Sequence, residues 1–383
     1  MNHLHEPGTS QKPVKKKQSG TPLIKVIIIL ALLALVLGAA LLIVGGMNMP
    51  APQPEQPPVV TEPEPEPLPE PDPIYHPLTG QQIAEEAAGR LLCVSVDNSP
   101  EARPQSGVEA ASLVYELPAE GNIPRLLLCY YDVNADKIGP VRSARPYIVN
   151  TARGWDGFFA HCGWSPGAKD LLYSGVVDYV NEISYSDYFW RDNDRYAPHN
   201  LYTSTARLYE ALADRDLGLE QELAAFSFRR EGEELAGAEQ VERLRLGFDG
   251  ANTIYQYDPA RRAYGRYIGE NAYIDGETGR QIYAANIIVQ KVSARVIDSE
   301  GRLEIDLTGG GEALLFSGGQ LLVGTWSRGS LDANTKFVDS SGQEFTLIPG
   351  QTWIELVDGY TECEYTVIEP EPEPEAGGEE GEA

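Results

Sequence analysis

The chain has 383 residues, 57 acidic against 30 basic, and a net charge of -27. So strong an acidic balance, with no basic cluster beyond the first 25 residues, excludes a nucleic-acid partner, because phosphate binding needs a basic face. Much of the negative charge lies in two runs, Glu62 to Asp72 and Glu369 to Glu382, which read as solvated, self-repelling coil rather than folded surface.

Residues 1–25 form a basic tail with Lys12, Lys15, Lys16, Lys17 and Lys25. Val26 to Val44 then runs without charge or proline, and at about 1.5 Å per residue it nearly matches the roughly 30 Å of a bilayer core. The expectation is a single transmembrane helix over Val26–Met47, with the lysines fixing the N-terminus in the cytoplasm and the rest outside the cell membrane. A cleaved signal peptide is the alternative, although its apolar region usually spans only about 7–15 residues. Residues 48–74 are rich in Pro and Glu, the composition of an extended polyproline II stalk.

An N-terminal α/β or α+β domain is expected over 75–215. Leu91 to Val96 reads as a buried strand ending in Asp97-Asn98-Ser99-Pro100, and Val108 to Leu113 as helix-like. Leu113 to Leu117 and Arg125 to Tyr131 read as strands of a hairpin. Arg145 to Gly154 is an expected helix, Gly157 to His161 a strand, and Ser165-Pro166 the start of a helix through Tyr173. A further helix follows Thr203 or Ser204. Residues 216–240 read as an acidic bridge, 241–360 as a mostly β C-terminal domain of short strands between Gly and Asp-Pro turns, and 361–383 as an acidic disordered tail.

Four cysteines, Cys93, Cys129, Cys162 and Cys363, all lie in or beside apolar strand-like runs; they read either as small buried hydrophobes or as disulfide partners, and Cys93 with Cys129 is then the expected pair, on strands taken as neighbours. No CxxC pair or metal-ligand spacing occurs, so no metal and no cofactor is expected.

The chemistry concentrates between Gly139 and Ser165. Arg142 and Arg145 stand three apart at a helix start, where guanidinium forks can hold a carboxylate or phosphate unless Asp97 or Asp170 pairs with them. His161 ends a strand and His199 lies on a loop, the usual mounts of general bases. Glu116 and Glu120 flank the hairpin as a possible acid/base pair, with Arg125 as a competing partner. Ser143 and Ser165 lack a nucleophile motif. Cys162 next to His161 on a strand points to the opposite face. Trp155, Trp164 and Trp190 could stack on a sugar or pack in the core.

Five segments, Asp97 to Gly107, Tyr115 to Gly121, Lys137 to Arg145, His161 to Pro166 and Ala197 to Ser204, resemble the YerB-like bacterial family. Gly324-Thr-Trp326 and Pro349 to Val357 are similar to its companion C-terminal domain. The resemblance covers roughly Pro77 to Val357. It implies a two-domain extracytoplasmic protein of Gram-positive-type bacteria, a domain of unknown function, with Asp97, Arg103, Glu116, Glu120, Arg142, Arg145, His161, His199 and Asn200 as matching motif residues. It also implies that members are often lipoproteins, whereas this chain has no cysteine at the end of its apolar run. Two functions follow as expectations: a membrane-tethered protein binding an anionic or sugar-containing wall component or an envelope protein, or a wall-acting hydrolase or transferase using His161 or His199 with Glu116 or Glu120 in the same cleft.

Overall fold

Leu92–Val96 (β1) is buried on both faces and organises the N-terminal half. In this computed structural model, which describes residues 23–46, 72–230, 232–248 and 251–368, it pairs antiparallel with Arg125–Tyr130 (β3) and parallel with Phe158–His161 (β4). Leu113–Leu117 (β2) flanks β3 antiparallel, and Tyr179–Asn181 (β5) extends the sheet beyond β4 in parallel. Side chains alternate faithfully. Leu92, Val94 and Val96 share a cluster with Leu208, Ala211 and Leu212 of helix α4 (Thr205–Asp214). Leu91 and Cys93 share the opposite cluster with Ile148 and Val149 of α2 (Pro146–Gly154) and Ala168 and Leu172 of α3 (Pro166–Tyr173). Helices on both faces explain why these strands are apolar throughout instead of alternating with polar residues.

The mostly β remainder continues the same sheet. Glu239–Phe248 (β6), Ala251–Asp258 (β7) and Ala263–Ile268 (β8) form a meander, and Asn286–Lys291 (β9), Gly309–Ser317 (β10) and Gln320–Arg328 (β11) follow. Thr352–Val357 (β12) then lies parallel between β9 and β2, with Glu355 directly opposite Glu116. Among the described residues one sixteen-stranded sheet thus crosses the expected boundary at 216–240, and those from 72 to 368 belong to a single unit. Within the bridge, Ser227–Phe228 pairs with Thr346–Leu347, and the Gln221 side chain reaches Leu91 and Trp155.

Two expectations need correction here. Residues 361–368 are not tail: Glu362–Val367 (β13) pairs antiparallel with β6, placing Cys363 opposite Leu246. Val108 to Leu113 forms a single turn and no helix: the Val108 carbonyl accepts from the Ala111 N–H and from Gln351 Nε2, which also holds the Ala111 carbonyl, and Leu113 already enters β2. The structure's Cys93 and Cys129 are indeed cross-strand neighbours, as free thiols with Sγ atoms 3.7 Å apart.

Helix α1 spans Leu23–Gly46, with side chains described over 27–39 and exposed. Among the described residues no helix is long and apolar enough to cross a membrane. The span expected over Val26–Met47 extends beyond the described side chains at both ends. The stalk over 48–71, the tail before residue 23 and the acidic run after residue 368 lie outside the described residues.

Candidate functional site

Three segments meet where β1 ends. The Arg142 N–H donates to Ser95 O and the Asp97 N–H to Pro140 O, so residues 140–142 run along the strand end. The Val141 N–H donates to Leu201 O, which brings the His199 loop in on the far side. Asp97 is consequently shared. Its Oδ2 lies 2.8 Å from His199 Nδ1 and 3.3 Å from Arg142 Nε, while its Oδ1 accepts from the Ser99 N–H at 3.0 Å. Burial works to raise its pKa, but the Ser99 N–H, the Arg142 charge and the His199 hydrogen bond outweigh it and hold the carboxyl below its ordinary value. Since the ionised carboxylate can only accept, His199 donates to it from Nδ1, and Nε2 takes no part in that bond. The Arg142 side chain remains 31 % exposed and that of His199 21 % exposed.

A polar layer lies beneath. Gln105 Nε2 donates to Asp97 O and to Asn98 Oδ1, and Arg103 donates from Nε to Asn98 Oδ1 and from Nη2 to Asn98 O. Arg103 therefore holds the turn that presents Asp97, with burial lowering its own pKa.

The other expected site residues are drawn elsewhere. Arg145 binds Glu120 through Nε and Nη2, and Arg125 joins the same carboxylate at 3.3 Å. Burial opposes ionisation of Glu120, yet the Arg145 hydrogen bond and the two guanidinium charges lower its pKa overall. Glu116 is wholly buried, accepting from Asn98 Nδ2 at 2.7 Å. Glu116 and Glu120 thus form no acid/base pair. His161 is wholly buried too, stacked on Phe159, with Nδ1 donating to Gly163 O at 2.8 Å. Burial depresses its pKa to about 4, so it is neutral at physiological pH. Asn200 serves the loop itself: its Oδ1 accepts from Arg191 and its Nδ2 donates to Asp192 O. Cys162 donates to Glu182 and burial pushes its pKa up to about 12, which argues against a thiolate nucleophile. The tryptophans scatter, with Trp155 bonded to Tyr115 in the core, Trp190 stacked on Tyr202 and Trp164 beside His161. The expected hollow of two guanidinium and two imidazole groups reduces to Arg142 and His199 on one carboxylate. Among the described residues no group of three or more His, Cys, Asp or Glu side chains is placed to hold a metal ion.

Comparison with known proteins agrees with this architecture. Residues 78–218 match the family described as "Protein of unknown function (DUF3048) N-terminal domain", and residues 244–354 match its C-terminal domain. The chain is 36 % identical to "Putative lipoprotein YerB" of Bacillus subtilis (strain 168) over 286 residues, which is 73 % of this chain and 85 % of the relative. The chain belongs to the YerB-like family. The crystal structure of YerB from Bacillus subtilis superposes with a TM-score of 0.69 at 33 % identity, covering 76 % of this chain and 99 % of that one.

Sequence reasoning missed the network that joins the two YerB-like segments. Arg266 of β8, Tyr255 of β7 and Glu355 of β12 are fully buried together with Glu116. Arg266 Nη2 donates to Glu116 Oε2 at 2.7 Å, and Nη1 donates to the Tyr255 hydroxyl and, at 3.3 Å, to Glu355 Oε1. The guanidinium lies 4.3 Å from the Trp353 ring centre. Two carboxylates share one cation. Burial and the neighbouring Glu116 charge raise the pKa of Glu355 well above its ordinary value. The available signal was a lone carboxylate inside the otherwise apolar Trp353-Ile-Glu-Leu-Val357, because a charge inside a strand apolar on both faces must have a buried partner.

Proposed function

We propose that this YerB-like protein is a membrane-tethered, extracytoplasmic envelope protein that recognises an anionic or sugar-containing cell-wall component at the Asp97, Arg142 and His199 site. The tether is a single span over Val26–Met47 with the N-terminus in the cytoplasm. Its support is the apolar run behind five lysines, together with a relative named as a lipoprotein, which would be held outside the membrane by a different device.

One observation carries the recognition reading: a buried carboxylate holds Arg142 and His199 side by side at a strand end while both keep exposed faces. Asp97 approaches Arg142 at Nε, and among the described residues neither Nη group donates a side-chain hydrogen bond. A guanidinium with Nη groups left to donate, beside an imidazole, suits an oxyanion next to a hydroxyl, the pairing that acidic sugars offer.

The test is retention of the purified protein on isolated cell walls. Wild type is retained, and Arg142→Ala or His199→Ala reduces retention at least tenfold without changing thermal unfolding. Failure of wild type to be retained, or equal retention of both variants, overturns the reading. The 2.8 Å contact between Asp97 and His199 favours one second reading, in which His199 Nε2 is a general base for hydrolysis or transfer. Products formed from muropeptides, seen by mass spectrometry and lost in His199→Gln, would establish it.

A further inference from the structure

The hairpin joining β7 to β8 gathers arginines. Asp258 Oδ1 accepts from the backbone N–H groups of Ala260 and Arg261 and its Oδ2 from Arg261 Nη1, which folds the turn back tightly. Arg262 closes it at φ 52°, a left-handed conformation uncommon for a residue with a side chain. Arg261 and Arg262, with Arg230 from the bridge, line a cleft of about 520 Å³ whose other walls include Tyr283, Ile348 and Gln351. That volume is within the range of small-molecule sites.

The charges in this cleft are poorly compensated for a chain of net charge -27. Arg261 pairs with Asp258 at 2.7 Å and lies 4.9 Å from the Tyr283 ring centre. Among the described residues neither Arg230 nor Arg262 has a carboxylate within ion-pair distance; Glu233 accepts from the Arg230 backbone N–H, not from its side chain. Behind the cleft, Arg229 is only 6 % exposed, donates to Thr346 O and Ser317 O, and leaves Nε without a partner. Burial lowers its pKa and the like charge of Arg262 lowers it further, against a smaller opposing effect of Glu233. A buried guanidinium hydrogen-bonded to neutral carbonyls, beside a second arginine and only partly offset by Glu233, leaves a positive potential that a bound anion relieves.

We infer that this cleft is an anion site for a phosphomonoester of a small organic molecule. Arg230 and Arg262 fork onto the phosphate oxygens, and Tyr283 and Ile348 cover the organic body. A phosphomonoester carries close to two negative charges at neutral pH, which matches the two guanidinium groups that have no ion-pair partner among the described residues, and its oxygens accept bidentate bonds. The site uses none of the residues assigned to wall recognition.

Isothermal titration calorimetry on the full chain in neutral detergent tests this with glycerol 3-phosphate, inorganic phosphate and the diester glycerophosphoglycerol. Glycerol 3-phosphate should bind at one site, tighter than either other probe. The Arg230→Gln plus Arg262→Gln variant should weaken it at least tenfold with unchanged thermal unfolding, and Arg142→Ala should leave it unaltered. No saturable binding of glycerol 3-phosphate, undiminished binding by the double variant, or a diester that binds as tightly overturns the assignment.

Discussion

Replacing Arg266 with methionine removes the cation that, among the described residues, pairs with both Glu116 and Glu355, all three side chains being wholly inaccessible to solvent. The variant keeps most of the side-chain volume, so the expected loss is electrostatic: the donors to Glu116 at 2.7 Å and Glu355 at 3.3 Å vanish and two carboxyl groups face each other. Breaking a buried pair from one side costs about 3–5 kcal/mol, and loss of the cation–π contact with Trp353 adds ~1–2 kcal/mol that need not be additive. Against a typical total of about 5–15 kcal/mol, such a loss leaves a marginal fold. Urea unfolding of the unit from Pro71 onward, followed by tryptophan fluorescence, measures it. The variant Glu116→Gln, Arg266→Met, Glu355→Gln should regain at least half the loss, because no charge is then buried unpaired. A single-variant loss below about 1 kcal/mol, or a triple variant no more stable than the single, would refute the reasoning.

Three other expectations are independent of that network's size. Glu355 has a raised folded-state pKa, so its contribution to stability is complete below about 4.5 and is lost as pH rises above that value; Glu355→Gln should flatten the decline that chemical-denaturation curves show as pH rises from there. His161, neutral in the fold with a pKa of about 4 against 6.5 when unfolded, gives stability that is complete above pH 6.5 and lost as pH falls toward 4, about 3 kcal/mol in all, which His161→Gln should remove from the acid limb. Cys93 and Cys129, both fully buried, should resist alkylation in the folded protein and react once urea unfolds it, as followed by intact-mass spectrometry; modification of either at the native rate of an exposed thiol contradicts the packing.

Local signals were legible and long-range ones were not. Pro166 after Ser165 marks a helix start correctly, although Ser165 supplies no side-chain cap, whereas Ser204 caps α4 by accepting from the Arg207 N–H. The β1 and β3 cysteines were placable because a tight hairpin and a buried strand leave few ways to pair. His161 misled because a strand-end histidine reads as accessible, while β5 and the rings of Trp164 and Tyr179 in fact enclose it. Arg145 misled because Glu120, 25 residues earlier, takes up its fork. The pairing of Glu116 with Arg266 spans 150 residues and depends on β12 slotting beside β2, which no local periodicity encodes.

That slotting bears on biogenesis. During synthesis from the N-terminus, β2 gains its β3 neighbour early, but its other edge stays unsatisfied until residues 352–357 emerge, almost at the end of the folded chain. The nascent molecule therefore carries an open hydrogen-bonding edge, with a buried-to-be glutamate upon it, through most of its synthesis. A protein wired this way matures only once its last strand arrives, and a chain cut short in the second half offers that edge to any extended segment nearby.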